Sequence, residues 1–170
     1  MNYFKFIREV PDYPKIGVSF KDITPLLQNP TALQGAKEAL CELLKDKQVD
    51  KVVGMESRGF FFGPMLAAQL NAGFVPVRKK GKLPFNTISE NYDLEYGQDV
   101  LEIHVDGIQK GDRVLIHDDV LATGGTASAV CKFVERLGGE VVQCNFLLEL
   151  QFLNGREKLP GYEVASLMQY

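Results

Sequence analysis

Short β-rich runs take turns with helix-patterned runs along this chain, and no internal repeat, low-complexity tract or linker interrupts them. Asn29-Pro30 reads as an N-cap followed by a first helical residue. Leu33, Ala36, Leu40, Leu43 and Leu44 then recur at helical spacing, with Lys37, Glu38, Glu42 and Lys45 on the other face. Lys51 to Met55 predicts a buried strand. Phe60 to Asn71 predicts an apolar helix closed by Gly73, with Gly63-Pro64 marking its first turn or a late start. Phe74 to Val77 returns as a strand. From Arg78 to Tyr92, cations and turn formers replace large aliphatics, which predicts an exposed, mobile loop. Leu101 to Val105 alternates apolar and polar residues as a half-buried strand does. A turn at Lys110-Gly111-Asp112 leads into a central strand at Arg113 to Ile116. Thr126 to Leu137 predicts a helix capped by Gly138-Gly139, with strands at Val141 to Leu150 and Tyr162 to Leu167. Strands joined through helices need right-handed crossovers, so the expected class is α/β with a parallel sheet covered on both faces. Ligands in such sheets sit at the carboxyl ends of the strands.

The 170 residues fit one domain with a real hydrophobic core. Lys+Arg 19 against Asp+Glu 22 gives a net charge of −3, which argues against a general nucleic-acid or membrane-surface binder. Cys41, Cys131 and Cys144 are odd in number and far apart in sequence. With two histidines and no Cys-x-x-Cys, neither a disulfide framework nor a structural zinc site is expected. The N-terminal stretch is too charged and short for a secretory signal, and the apolar run Phe60 to Leu70 is far below a bilayer span. A soluble, reduced, cytoplasmic protein is expected.

The most informative segment runs from Val114 to Ala127. An apolar strand enters two adjacent carboxylates, Asp118 and Asp119, then Ala122-Thr123-Gly124-Gly125-Thr126, then a helix. Two glycines let the backbone turn tightly with successive N–H groups pointing inward, and the helix start adds unpaired N–H groups and a positive dipole end. Thr123 and Thr126 add hydroxyls. This suits a phosphate monoester. Neither a Walker loop nor a Gly-x-Gly-x-x-Gly fingerprint is present. The carboxylates would repel a phosphate unless their own partners are hydroxyls or a metal, and ribose 5-phosphate meets both demands. The same residues also read as a solvated acidic pair beside a turn that merely caps a helix.

Asp118-Asp119 with Ala122-Thr123-Gly124-Gly125-Thr126 resembles the phosphoribosyl pyrophosphate (PRPP) motif of the type I phosphoribosyltransferases. The resemblance implies ribose hydroxyls on the acid pair and the 5-phosphate in the loop. His117 departs from the usual apolar residue there and reads as a surface-facing strand-end residue. Glu56-Ser57-Arg58-Gly59-Phe60 is similar to the pyrophosphate loop of the adenine-specific members, with Arg58 offering a planar donor fork. Val10 to Pro14 and Gly17 to Pro25 resemble their purine-binding stretch, which puts Ser19, Phe20 and Lys21 at the base. Lys21 and Ser19 depart from the usual Arg and larger aliphatic. Arg78 to Pro84 and Tyr92 to Gly97 resemble the two ends of their flexible loop, and Gly155 to Leu159 is also similar. The similarity runs from about Val10 to Tyr170.

The resemblance implies the type I phosphoribosyltransferase fold: a central, mainly parallel sheet flanked by helices, a small N-terminal hood at about 1–28 and a flexible catalytic loop at about 80–96. It implies transfer of the phosphoribosyl group of PRPP to adenine, giving AMP and pyrophosphate, with Mg²⁺ carried by PRPP rather than by protein ligands. Asp118 and Asp119 hold the ribose, and Glu95 acts as acid or base near the purine. Glu56, Ser57, Arg58, Arg78, Lys79, Lys82 and Tyr96 serve the pyrophosphate side, some of the cations across a homodimer interface. Two alternatives stay open at this stage: a transferase for another purine base, and a PRPP-sensing regulator.

Overall fold

The computed structural model describes residues 1–93 and 98–170. The chain divides into two compact units, Met1–Ala39 and Leu40–Tyr170. In the first, strands β1 (Arg8–Val10) and β2 (Phe20–Asp22) pair antiparallel, with Glu9 opposite Lys21. Helix α1 (Thr24–Gln28) follows, then α2 (Pro30–Glu42). The expected N-cap is in place, since Asn29 Oδ1 accepts the Ala32 N–H at 2.9 Å. Ala32, Ala36 and Leu40 form the buried stripe that the helical spacing anticipates.

The second unit is built on a sheet. Its elements are β3 (Lys51–Met55), α3 (Gly63–Gln69), β4 (Gly73–Lys79), β5 (Thr87–Asp93), β6 (Gln98–His104), β7 (Arg113–Leu121), α4 (Gly125–Arg136), β8 (Glu140–Glu149) and β9 (Val164–Gln169). The strand order is β5-β6-β4-β3-β7-β8-β9. From β4 to β9 the neighbours are parallel, and β5 and β6 form an antiparallel hairpin added beyond β4. Val52, Val53, Gly54 and Met55 are all buried, as a strand covered on both faces requires. Helix α4 lays Ala127, Val130, Cys131 and Val134 on the core that also holds Val53, Val114, Ile116 and Phe146. Gly138, at φ +87°, ends that helix as expected, its N–H donating to the Glu135 carbonyl.

Four expectations are corrected. The segment from Arg78 to Tyr92 is not one exposed loop: β4 runs on to Lys79, and β5 begins at Thr87 and pairs with β6 across seven residues. Ile88, Glu90 and Tyr92 are turned inward and Ser89 and Asn91 outward on a half-solvated hairpin, which composition alone does not distinguish from a loop. The apolar helix takes the later of the two expected starts, at Gly63 after a 3-10 turn at Arg58–Phe60, but it is not closed by Gly73: Asn71 takes the positive φ (+53°) and Gly73 opens β4. The central strand does not stop at Ile116 but continues through the acid pair to Leu121. His117 is not at the surface. It is wholly buried, with Nδ1 2.7 Å from Asn145 Oδ1 and its ring edge-on to Phe62. The cysteines, distant in sequence, also come together in part: the Cys131 and Cys144 sulfurs lie 3.6 Å apart as buried thiols. Among the described residues no helix is long and apolar enough to cross a membrane.

Asn145 spends its amide N–H on the Leu40 carbonyl at 3.3 Å, so its oxygen faces His117 and the imidazole donates from Nδ1. Burial pushes the His117 pKa down to about 4, against the pull of Asn145. The unfolded chain therefore takes up this proton first as pH falls below about 6.5, and the folded state loses stability on the order of 3 kcal/mol by the time pH passes about 4. ¹⁵N NMR should show His117 neutral and protonated at Nδ1 down to about pH 4. Titration near 6.5 would contradict the burial.

Candidate active site

Asp118 and Asp119 are consecutive residues inside β7 and stay in contact: the Asp119 N–H donates to Asp118 Oδ1 at 2.9 Å, and their carboxyl groups interact. Asp118 lines a cavity of about 60 Å³ that is also lined by the whole of Ala122-Thr123-Gly124-Gly125-Thr126. Gly124, at φ +79°, is the N-cap of α4. A Cβ there would overlap the carbonyl oxygen of Gly155, so the turn needs glycine for both space and backbone conformation. The floor of the cavity is thus a bent backbone running into a helix start, whose first N–H groups have no intrahelical acceptor. It is a seat for an oxyanion beside a carboxylate.

Asp119 is 1% exposed, with Oδ2 3.1 Å from Nε of Arg58. Burial raises its pKa and Arg58 opposes the rise. Asp118 is pushed well above the usual carboxylate range, by burial first and then by the Asp119 charge. Adjacent carboxylates out of water disfavour double ionisation unless a cation or hydroxyl donors answer them. Arg58 supplies the cation beside Asp119, and the cavity leaves Asp118 open to a ligand.

Arg58 comes from the carboxyl end of β3. After Met55 the Glu56–Ser57 peptide is cis, and the chain makes the 3-10 turn Arg58–Phe60. Gly59 lets that turn press against β7: a Cβ there would stand 2.9 Å from the His117 carbonyl oxygen and 3.1 Å from Asp118 Oδ1. Glu56 gathers the end of β4, with Lys82 Nζ at 2.5 Å, the Lys79 N–H at 2.9 Å and Arg78 Nε at 3.3 Å from its carboxylate oxygens. Burial works to raise the Glu56 pKa, but these donors outweigh it and hold the carboxyl below its usual value. The Lys79 ammonium reaches Asp99 at 2.9 Å instead, and its pKa is raised by that contact.

A family model for the phosphoribosyl transferase domain matches residues 22–160. The adenine phosphoribosyltransferase of Christiangramia forsetii is 62% identical over 170 residues, which are 100% of this chain and 99% of that protein. The crystal structure of adenine phosphoribosyltransferase from Thermoanaerobacter pseudethanolicus has a TM-score of 0.96 at 52% identity, covering 98% of this chain and 97% of the other. The Saccharomyces cerevisiae enzyme, crystallised with adenine and an imino-altritol bisphosphate, has a TM-score of 0.89 at 42% identity, over 95% of this chain and 93% of that one. The chain belongs to the adenine phosphoribosyltransferase family. Its sheet and flanking helices are the type I phosphoribosyltransferase fold.

Within this phosphoribosyltransferase, the residues expected at the 5-phosphate are together around one cavity. Glu56, Arg78 and Lys82 form a second cluster, while Lys79 is turned to β6. The expected contributions of Glu95 and Tyr96 lie outside the described residues. Ser19, Phe20 and Lys21 belong to the first unit. There Phe20 stacks edge-on with Tyr13 at 5.2 Å, and Lys21 Nζ is held by Glu9 at 2.5 Å. Sequence reasoning missed Asp99, the counter-charge of Lys79, and the part of Gly155 in shaping the loop. Asp99 is one carboxylate in a run of charged residues. Gly155 is marked in the sequence only by the similarity of the stretch Gly155 to Leu159 to the family.

Asp119→Asn removes the neighbouring charge that helps raise Asp118 and leaves Arg58 in place. The Asp118 carboxyl ¹³C resonance should therefore titrate at lower pH in that variant than in the parent. An unchanged or higher midpoint would show that the two acids are not coupled.

Proposed function

We propose that this protein transfers the 5-phosphoribosyl group of PRPP to adenine, yielding AMP and pyrophosphate in purine salvage. The observation that carries the reading at this site is the oxyanion seat of Ala122 to Thr126 beside the half-buried Asp118 carboxylate. The 5-phosphate rests on the loop N–H groups and the threonine hydroxyls, and the ribose diol donates to the acid pair. As the C1–O bond breaks, the ribosyl carbon gains positive charge and the leaving pyrophosphate gains negative charge. Asp118 and Asp119 place a negative field beside the first. Arg58 answers the second in this reading.

Ser57, Glu56, Arg78, Lys79 and Lys82 complete the pyrophosphate side in this reading, the cations as direct contacts and Glu56 as their organiser. Adenine lies against the ring of Phe20, with Ser19 and the backbone of Lys21 supplying polar contacts, since the Lys21 ammonium is already held by Glu9. Glu95 handles a purine proton and Tyr96 covers the site. Magnesium is part of the substrate, bound to the PRPP polyphosphate, where it offsets negative charge. Among the described residues no three His, Cys, Asp or Glu side chains are grouped to hold a metal ion. Homodimeric assembly and a cytoplasmic location belong to the same reading and rest on the resemblance.

The test is pyrophosphate release from PRPP and Mg²⁺ with adenine, hypoxanthine, guanine and xanthine offered separately. Adenine should be the preferred base by a wide margin in kcat/KM. Asp118→Asn should lower kcat/KM by about 10²-fold, the scale of losing one preorganised electrostatic contact. Glu95→Gln should cut turnover by more than about twofold, as loss of a general acid or base does. An adenine rate no better than that with the other bases would overturn the substrate assignment.

A further inference from the structure

The loop that seats the 5-phosphate has almost no side chains with which to hold its own shape. Gly124 and Gly125 contribute none, so the loop's stiffness depends on what stands behind it. Behind it is another backbone. The carbonyl of Gly155 abuts Gly124, and a Cβ on Gly155 would in turn overlap the Ala122 carbonyl oxygen. Gly155 opens the 3-10 turn Gly155–Lys158, entered through Asn154 at φ +51°.

That turn is pinned on both sides of its contact with the loop. Leu159 is 2% exposed and packs in the main core. Arg156 is held by the carboxylate of Glu149 in a two-pronged pair, Nε to Oε1 and the second guanidinium nitrogen to Oε2, each at 2.7 Å. Its remaining nitrogen donates to the Val164 carbonyl at 2.8 Å, and the Ser166 hydroxyl donates to Glu149 Oε2 at 2.7 Å. Glu149 is 3% exposed, and it is paired in register with Leu121, the residue directly before the phosphate loop. Burying a charge at this spot is costly unless its partners are fixed, and here every partner lies on β9 or on the turn itself. Arg156 holds the carboxyl of Glu149 below its usual range.

We infer that the Glu149–Arg156–Ser166 cluster is a positioning device for the 5-phosphate. It clamps the 155–158 turn so that the Gly155 carbonyl props the Thr123–Gly125 backbone in its anion-binding shape. The inference rests on the reading that this loop takes the 5-phosphate of PRPP. Releasing the clamp weakens the grip on the phosphate end of PRPP and AMP and leaves the base and the bond-breaking step alone.

The experiment compares Arg156→Met, Arg156→Lys, Glu149→Gln and Ser166→Ala with the parent. Initial rates are measured with PRPP and adenine varied separately, and ribose 5-phosphate binding by calorimetry. Arg156→Met should raise KM for PRPP and Kd for ribose 5-phosphate about tenfold, with kcat and KM for adenine within about twofold. Arg156→Lys keeps the charge but loses the planar fork, and should recover part of the loss. Ser166→Ala, the mildest change, should still shift the same two constants by about twofold to threefold, so the question is answered even where an Arg156 or Glu149 variant fails to fold. Lower Tm with unchanged PRPP and ribose 5-phosphate constants would make the cluster merely structural and overturn the inference. So would a loss confined to kcat. A parent that binds ribose 5-phosphate but makes no AMP overturns the functional reading instead.

Discussion

Two neighbouring carboxylates inside a central strand are the condition the rest of the site is built to meet. Carboxylates taken out of water favour the protonated form, and two side by side favour it more. Asp118 and Asp119 both show that upward pull. The fold answers it by giving the two acids different surroundings. One acid faces a guanidinium and the other faces a cavity with a backbone oxyanion seat. The close approach of Gly59 to β7 follows from this, because Arg58 reaches Asp119 only if the turn after β3 lies flat against the His117 carbonyl.

This site and much of the fold were legible in the chain. The apolar run 51–55, the glycines at 124, 125 and 138, and the periodicity of α4 each state a local preference that the tertiary structure also satisfies. What was not legible has physical causes. The β5–β6 hairpin is sequence-local but mixed in charge, and its partners across the ladder decide it rather than its own pattern. His117 was misplaced because a lone imidazole gives no sign of an amide 28 residues on that will satisfy it. The meaning of Gly155 depends on another glycine 31 residues earlier, a backbone contact that no single-chain pattern encodes.

The two ends of the site differ in rigidity of construction. The 122–126 loop is backed by main chain on main chain, with a buried ion pair behind it. The β4 end is assembled from long side chains, with Arg78, Lys79 and Lys82 on Glu56 and Asp99. The cations of these pairs are 35–54% exposed, so the pairs arrange them without locking them.

Those pairings set the terms on which the β4 cations meet any other anion. They are not idle charges waiting in water; each already has a counter-ion, one of them a carboxylate with its side chain only 9% exposed. A visiting polyanion therefore trades places with resident carboxylates, and its hold is the difference between two sets of contacts rather than the sum of one. Exchange of that kind favours reversible docking and prompt departure, with Glu56 and Asp99 ready to retake the vacated cations.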